Sequence, residues 1–337
     1  MFSKLPVARE NHSRSLSGVH AVIIDHDSLH IEERPDPSPG EGEVLVATEF
    51  AGINAADLMQ RRGVYPSPPG WPADIPGMEL SGRVVHVGPG VDSSLIGRRV
   101  CAIVGGGAQA TRTMVPAAHL IAVPDDVAMN EAGGFAEAFI TAYDALVSQG
   151  RLRSGNRLLV SGAGGGVGSA AVQIGRLLGA HVTAVTRSSS HHQILRDLGA
   201  NDVISLDEVG AIEPVDVVLE LVGAAHLALA QDRLANFARV VVIGVAGGGS
   251  RVEVDLLNVM RTRSTITGST LRSRSMEEKT DVIARATEAL EGPWGRGEIR
   301  VPLAATFAFH DVENAYGFFA QPGKFGKVLL AAPDETT

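Results

Sequence analysis

Leu158-Leu159-Val160-Ser161-Gly162-Ala163-Gly164-Gly165-Gly166-Val167-Gly168 is a short apolar strand running straight into a glycine-rich turn. Ser169-Ala170-Ala171 follow and open a segment with helical spacing. Strand, glycines and helix in this order serve one purpose. The first glycine allows a tight turn, and the central ones let backbone approach a pyrophosphate with no Cβ in the way. The last lets the helix sit close on the strand, while the helix N-terminus offers free N–H groups and partial positive charge. The spacing is Gly-x-x-Gly-x-x-Gly, from Gly162, Gly165 and Gly168, one position away from the commoner Gly-x-Gly-x-x-Gly. It predicts a dinucleotide site with Gly162, Gly164, Gly165, Gly166, Val167 and Gly168 as contacts.

Working outward, His181–Thr186, Val203–Leu206, Asp216–Leu221, Arg239–Val245 and Thr265–Thr270 read as further strands, with helical segments between several of them. That alternation predicts a doubly wound parallel α/β sheet of Rossmann type. Glu131–Gln149 reads as a helix leading into it. Upstream, from about Val19 to Pro124, short apolar bursts are separated by Pro and Gly turns, which predicts a β-rich, barrel-like domain. The elements after Thr270 are expected to return to that first domain. The expected organisation is a Rossmann domain over 131–270, a discontinuous β-rich substrate domain over 19–130 and 271–337, and an N-terminal extension over 1–18.

The turn after the second strand bears on the cofactor. An NAD site usually places an acid roughly 20 residues beyond the glycines. No acid occurs between Gly168 and Asp197; Thr186, Arg187 and Ser188 stand there, with Ser189 and Ser190 behind them. A guanidinium and hydroxyls suit a 2′-phosphate, so NADPH is the expected cofactor.

Composition sets limits. The 337 residues carry a net charge of −9 and no basic tract, which argues against a nucleic-acid partner. No apolar run approaches the roughly 20 residues of a membrane span. The polar start lacks the apolar core of a signal peptide, so a cytoplasmic location is expected. One cysteine, Cys101, excludes an internal disulfide framework and a thiolate-rich metal site. It reads as an inert buried thiol. His191 and His192 read as solvated, Gly105-Gly106-Gly107 as a flexible surface turn, and Glu277, Glu278 and Lys279 as a solvated helix face.

Longer stretches resemble a known family. They are Gly52-Ile53-Asn54-Ala55-Ala56-Asp57-Leu58-Met59-Gln60-Arg61-Arg62-Gly63-Val64-Tyr65-Pro66, Pro76-Gly77-Met78-Glu79-Leu80-Ser81-Gly82, Val87-Gly88-Pro89-Gly90-Val91, Leu198-Gly199-Ala200 and Gly326-Lys327-Val328-Leu329. With the glycine turn, they resemble the medium-chain dehydrogenase/reductase superfamily over nearly the whole chain. The similarity is to its zinc-free quinone oxidoreductase (zeta-crystallin-like) branch. The resemblance implies that the β-rich domain is GroES-like. In the zinc enzymes of this superfamily a Cys precedes the matching Asp by three residues, and a Gly-His-Glu motif follows. Here Asn54 and Met78 stand at those places, and both are poor zinc donors. No metal is expected.

Without a Lewis acid, hydride delivery to an electrophilic acceptor is the easier chemistry. The resemblance implies a quinone acceptor, with an enone (an α,β-unsaturated carbonyl) as the alternative and a low-turnover nucleotide-binding protein as a third reading. Tyr65 and Asn54 are the candidates for stabilising charge on the acceptor oxygen. Further cofactor contacts implied by the resemblance and by the Rossmann rule are Thr141 and Tyr143, Val222 and Gly223, Gly244, Val245 and Ala246, Ser269, Thr270 and Leu271, and Phe325. Asn54 is also a candidate for the cofactor ribose, and Asp57 looks structural. His191 stands where many relatives have a Lys for the 2′-phosphate, and Leu206 where several have Tyr. A homodimer through a sheet edge is implied, with Arg239–Val245 and Thr265–Thr270 as candidate edge strands.

Overall fold

The computed structural model describes residues 18–245, 247 and 249–333. Its centre is a six-stranded, all-parallel sheet. The strands lie in the order Asp202–Ile204, His181–Val185, Arg157–Val160, Val215–Glu220, Leu234–Val242, Thr265–Gly268. In chain order this is 3-2-1-4-5-6, the doubly wound arrangement whose crevice lies outside the strand C-termini, at the reversal between the first and fourth strands. Leu158, Leu159 and Val160 are all buried, as a strand covered on both faces requires. The helix Gly166–Leu177 lies on them through Ala170, Ala171 and Ile174. A Cβ on Gly175 would come within 2.8 Å of both Leu158 and Val182, so glycine sets how closely that helix approaches the sheet.

The second sheet is mixed and seven-stranded. Leu303–Ala308, Lys327–Ala331, Glu43–Ile53, Glu79–Val87, Arg99–Ile103 and Leu120–Ala122 follow one another, and Arg112–Pro116 also pairs with Glu43–Ile53. Lys327–Ala331 runs antiparallel to Glu43–Ile53, with Val328 opposite Ile53. The late segment and the early one therefore share one sheet, and Lys327 lies next to Asn54. A hairpin, Val19–Asp25 with Ser28–Arg34, completes this half.

The expected helix Glu131–Gln149 is divided into Met129–Ala132, Ala136–Tyr143 and a wide-turned segment Asp144–Gln149, closed by Gly150 N–H donating to Ala145 O at 2.8 Å. Gly133 and Gly134 make the first break. A Cβ on Gly133 would lie 2.6 Å from Phe50, and one on Gly134 3.0 Å from Lys327. The helix Met276–Gly295 is joined to Ala136–Tyr143 by a stack of Trp294, Phe135 and Phe139, with centroids 3.8 and 4.6 Å apart. Of the two candidate edge strands only Thr265–Gly268 is an edge; Leu234–Val242 is paired on both sides.

Candidate active site

The glycine turn is built as its spacing requires. Gly162 has φ +60°, a conformation that disfavours a Cβ. Gly165 caps the helix Gly166–Leu177, and its N–H donates to Gly162 O at 3.1 Å. A Cβ on Gly168 would lie 2.4 Å from Gly162 O and 2.7 Å from Ala163 Cα, so the first and last glycines are in mutual contact. The turn sits at the C-terminal end of the first strand, beside the sheet's reversal point.

The fourth strand ends next to it. Buried Glu220 Oε1 accepts from Ser161 Oγ at 2.9 Å and from the N–H groups of Val222 and Gly223, each at 2.7 Å. Glu220 Oε2 is buried without a partner among the described residues, and so is Thr141 Oγ1. Unpartnered buried oxygens suit the hydrogen-bonding groups of a ligand. Together with the glycine cradle, these residues fit a dinucleotide.

Across the crevice lies a cluster of buried charges. Lys327 Nζ donates to Asn54 Oδ1 at 2.6 Å and pairs with Glu79 Oε1. Asn54 Nδ2 donates to the same Glu79 oxygen at 3.0 Å. Glu79 Oε2 accepts from Glu137 N–H at 2.9 Å. The Lys327 stem passes Gly166 on its way, so closely that a Cβ there would lie 2.6 Å from Cδ. The Asn54 amide is thus within one lysine's length of the helix N-terminus. Asp57 caps the helix Ala55–Arg61, accepting from Asn54 N–H at 2.7 Å and Gly77 N–H at 3.0 Å. Burial raises the Asp57 carboxyl to about 6 against the pull of these donors and of Arg272 and Lys327. Burial, then the Glu79 charge, pushes the half-buried Glu137 carboxyl up to about 8.

Tyr65 is half-buried, and its hydroxyl lies 3.2 Å from Thr270 Oγ1, which joins the two halves across the crevice. Buried Arg272 holds the Tyr65 loop. It donates to Tyr65 O at 3.1 Å, Gly105 O at 2.8 Å and Ser67 Oγ at 3.0 Å, and its guanidinium lies 5.1 Å from the Tyr65 ring centre.

The remaining predicted residues fall in separate places. Thr186 and His191 are in contact at 3.3 Å, and Ser188 Oγ meets Ser190 Oγ at 2.7 Å. Arg187 is exposed. Phe325 meets the His191 ring edge-on at 5.1 Å. Ser269 Oγ donates to Asp144 Oδ2 at 3.1 Å and accepts from Arg274 at 2.6 Å, so its hydroxyl is tied into a buried ion pair. Ser269 and Thr270 line a cavity of about 490 Å³ with Gln149, Val242, Gly268 and Arg274. Leu271 is a core side chain, and Tyr143 is half-buried against the same core. Gly244 lies close on Leu221 O, where a Cβ would meet it at 2.9 Å; Val245 is exposed. Ala246 lies outside the described residues, as does the extension up to residue 17.

Several expectations need correction. His191 is buried at 8% exposure, wedged between Gly164 and Phe325, and His192 is half-buried. Gly105, Gly106 and Gly107 are buried, because Trp71, Ser67 and Pro72 fill the space their side chains would need. Lys279 is buried, and its pKa is lowered by burial although Glu137 pulls the other way. Cys101, by contrast, is buried as expected, with its thiol pushed well above its ordinary range by burial. Sequence reasoning missed Glu79, Lys327, Glu137, Arg272 and Glu220 as site groups. The available signal was a charge set into apolar strand sequence, as in Lys327-Val328-Leu329-Leu330 and Leu219-Glu220-Leu221.

A parallel sheet with a pyrophosphate cradle, facing a mixed sheet that carries polar groups, defines a two-domain, dinucleotide-binding oxidoreductase. A zinc-binding dehydrogenase profile matches residues 166–288, and an alcohol dehydrogenase GroES-like domain profile matches 40–148. The chain is 30% identical over 336 residues to the synaptic vesicle membrane protein VAT-1 homolog of Rattus norvegicus, covering 93% of this chain and 83% of that protein. It is also 30% identical over 318 residues to one polypeptide of the phenolphthiocerol/phthiocerol polyketide synthase of Mycobacterium tuberculosis, covering 91% of this chain but 14% of that polypeptide. An alcohol dehydrogenase superfamily protein from Novosphingobium aromaticivorans superposes with a TM-score of 0.83 at 28% identity, covering 94% of this chain and 100% of that one. The chain belongs to the medium-chain dehydrogenase/reductase superfamily, whose members bind nicotinamide cofactors, and its halves are the Rossmann and GroES-like folds of that superfamily. Among the described residues, no helix is long and apolar enough to cross a membrane.

Proposed function

We propose that the chain is a zinc-independent, NADPH-dependent quinone reductase. The observation that carries this reading is the Lys327 bridge from the glycine turn to Asn54, which occupies the Asn54 oxygen with an ammonium beside the glycine turn. The Asn54 amide is held by Lys327 and Glu79, and Met78 is buried at 3% exposure. An amide already engaged at both ends and a thioether make a weak zinc set. NADPH is supported by Arg187 and by the absence of an acid between Gly168 and Asp197.

A dinucleotide held by the glycine turn would supply the hydride. The chain's part is to orient the acceptor and stabilise the oxyanion that forms. Asn54 Nδ2 has a second N–H beyond the one given to Glu79, and the Tyr65 hydroxyl can exchange Thr270 for an acceptor oxygen. The test is NADPH and NADH consumption across a panel of quinones and enones, with Tyr65→Phe alongside. Quinone turnover with NADPH preferred, and a loss of about tenfold or more in kcat/KM for the variant, is expected. Failure of every quinone refutes the reading. Reduction of enones alone selects the second reading, which the match to a polyketide synthase favours.

We assign the chain to the cytoplasm as a homodimer. The edge strand Thr265–Gly268 is flanked by the helix Leu256–Thr262, whose Leu256, Leu257 and Met260 are 70%, 71% and 73% exposed. An open strand edge beside exposed apolar side chains suits pairing with a second copy. A monomer in sedimentation analysis at micromolar concentration refutes it.

A further inference from the structure

The loop from Gln321 to Phe325 leaves the helix Val312–Ala320 and enters the strand Lys327–Ala331. It is latched to the Rossmann half at three points. His191 Nε2 donates to Gly323 O at 3.2 Å, Phe325 meets the His191 ring, and Gly326 N–H donates to Gly164 O at 2.8 Å. Lys324 lies between these contacts. It is therefore held at the end of the second strand, where the adenosine ribose sits in a doubly wound nucleotide fold.

Arg187 begins the turn after that strand. It is exposed and has no carboxylate partner among the described residues. Lys324 is half-buried, with its ammonium 4.4 Å from the Phe319 ring centre and one long hydrogen bond, 3.4 Å, to Gln321 O. It too lacks a carboxylate partner among the described residues. The contacts of Gly323 and Phe325 with His191 set the Lys324 loop against the turn that Arg187 opens, and the Lys324 pKa is lowered by burial and then by the Arg187 charge. Two neighbouring cations without a counter-ion leave a repulsion that a bound anion relieves.

His191 is not available for that task. Its Nδ1 faces Thr186 Oγ1 and its Nε2 is given to Gly323 O, so neither ring nitrogen is left for a phosphate. We infer that Lys324 and Arg187 together seat the 2′-phosphate, so that the second phosphate cation comes from the C-terminal loop rather than from the 189–192 turn. The inference rests on the NADPH reading above. It adds that the GroES-like half takes part in choosing the cofactor.

Calorimetric titration with 2′,5′-ADP and with 5′-AMP separates the two ideas without needing a substrate. Wild-type protein is expected to bind 2′,5′-ADP the more tightly. Lys324→Gln is expected to weaken 2′,5′-ADP about tenfold and leave 5′-AMP unchanged, and Lys324→Arg to restore most of the loss. The unchanged 5′-AMP affinity is the control for folding. If wild type favours 2′,5′-ADP and Lys324→Gln still binds it equally well, the Lys324 assignment is wrong while the NADPH reading stands. If wild type does not distinguish the two ligands, the NADPH reading fails first. An equal loss for both ligands marks Lys324 as a loop anchor and also overturns the assignment.

Discussion

Replacing Glu137 by glutamine removes one proton-binding group from the buried charge cluster and keeps the shape of the side chain. In the folded protein this carboxyl holds its proton up to about 8 instead of the ordinary 4.5, because burial and the Glu79 carboxylate both disfavour its charge. The folded state therefore binds a proton that the unfolded chain releases. The stability this confers is complete below about 4.5 and is lost as the pH rises through about 8. At about 1.4 kcal/mol per pH unit, the full loss would be on the order of 5 kcal/mol. Glu137 is only half-buried, so solvent reduces this to on the order of 2 kcal/mol. At roughly 2–4 °C per kcal/mol for domains of this size, wild type should lose about 5 °C in Tm between pH 5 and pH 9 through this group alone. Glu137→Gln should not. The assay is thermal unfolding of both proteins at unit pH steps. Asp57, raised to about 6, titrates in both proteins, and its repulsion with Glu137, present only in wild type, adds to the difference. Parallel curves from pH 5 to 9 would refute the reasoning.

Two further substitutions probe the cradle and the ion pair. Gly168→Ala puts a Cβ 2.4 Å from Gly162 O and 2.7 Å from Ala163 Cα, both backbone atoms, so the turn must open. NADPH Kd measured by fluorescence is expected to rise about tenfold or more, and an unchanged Kd contradicts the assignment of the turn. Lys327→Met strands Glu79 in the interior and is expected to cost about 3–5 kcal/mol in thermal unfolding, most of it recovered by adding Glu79→Gln. If the double variant is no more stable than the single one, the pair is not the source of the loss.

The parts legible in the sequence were those set by local backbone demands. Gly162, Gly165 and Gly168 could be read because each answers to a neighbour a few residues away: a turn, a helix cap, a helix–strand contact. The alternation of strands and helices around them made the doubly wound sheet readable for the same reason. What stayed hidden depends on partners remote in sequence. Lys327 meets Glu79 across 248 positions, and Arg272 meets Gly105 across 167. Gly105–Gly107 carries every local sign of a surface turn; Trp71, Ser67 and Pro72, seated where Cβ atoms would stand, turn it inward. Lys279 reads as solvated from its helix, and packing of that helix against Ala136–Tyr143 buries it. The same distinction separates the cradle from the chemistry it serves. Binding a pyrophosphate needs backbone, which one segment can supply. Fixing the Asn54 amide needs groups from three: the Glu79 carboxylate from an inner strand, the Lys327 ammonium from the last strand, and the backbone Glu137 N–H that fixes the second Glu79 oxygen. Pairing of the last strand with Glu43–Ile53 delivers Lys327 to Asn54, so the site's polarity is a consequence of sheet topology. Any change that weakens that pairing should release the amide before it disturbs the glycine turn.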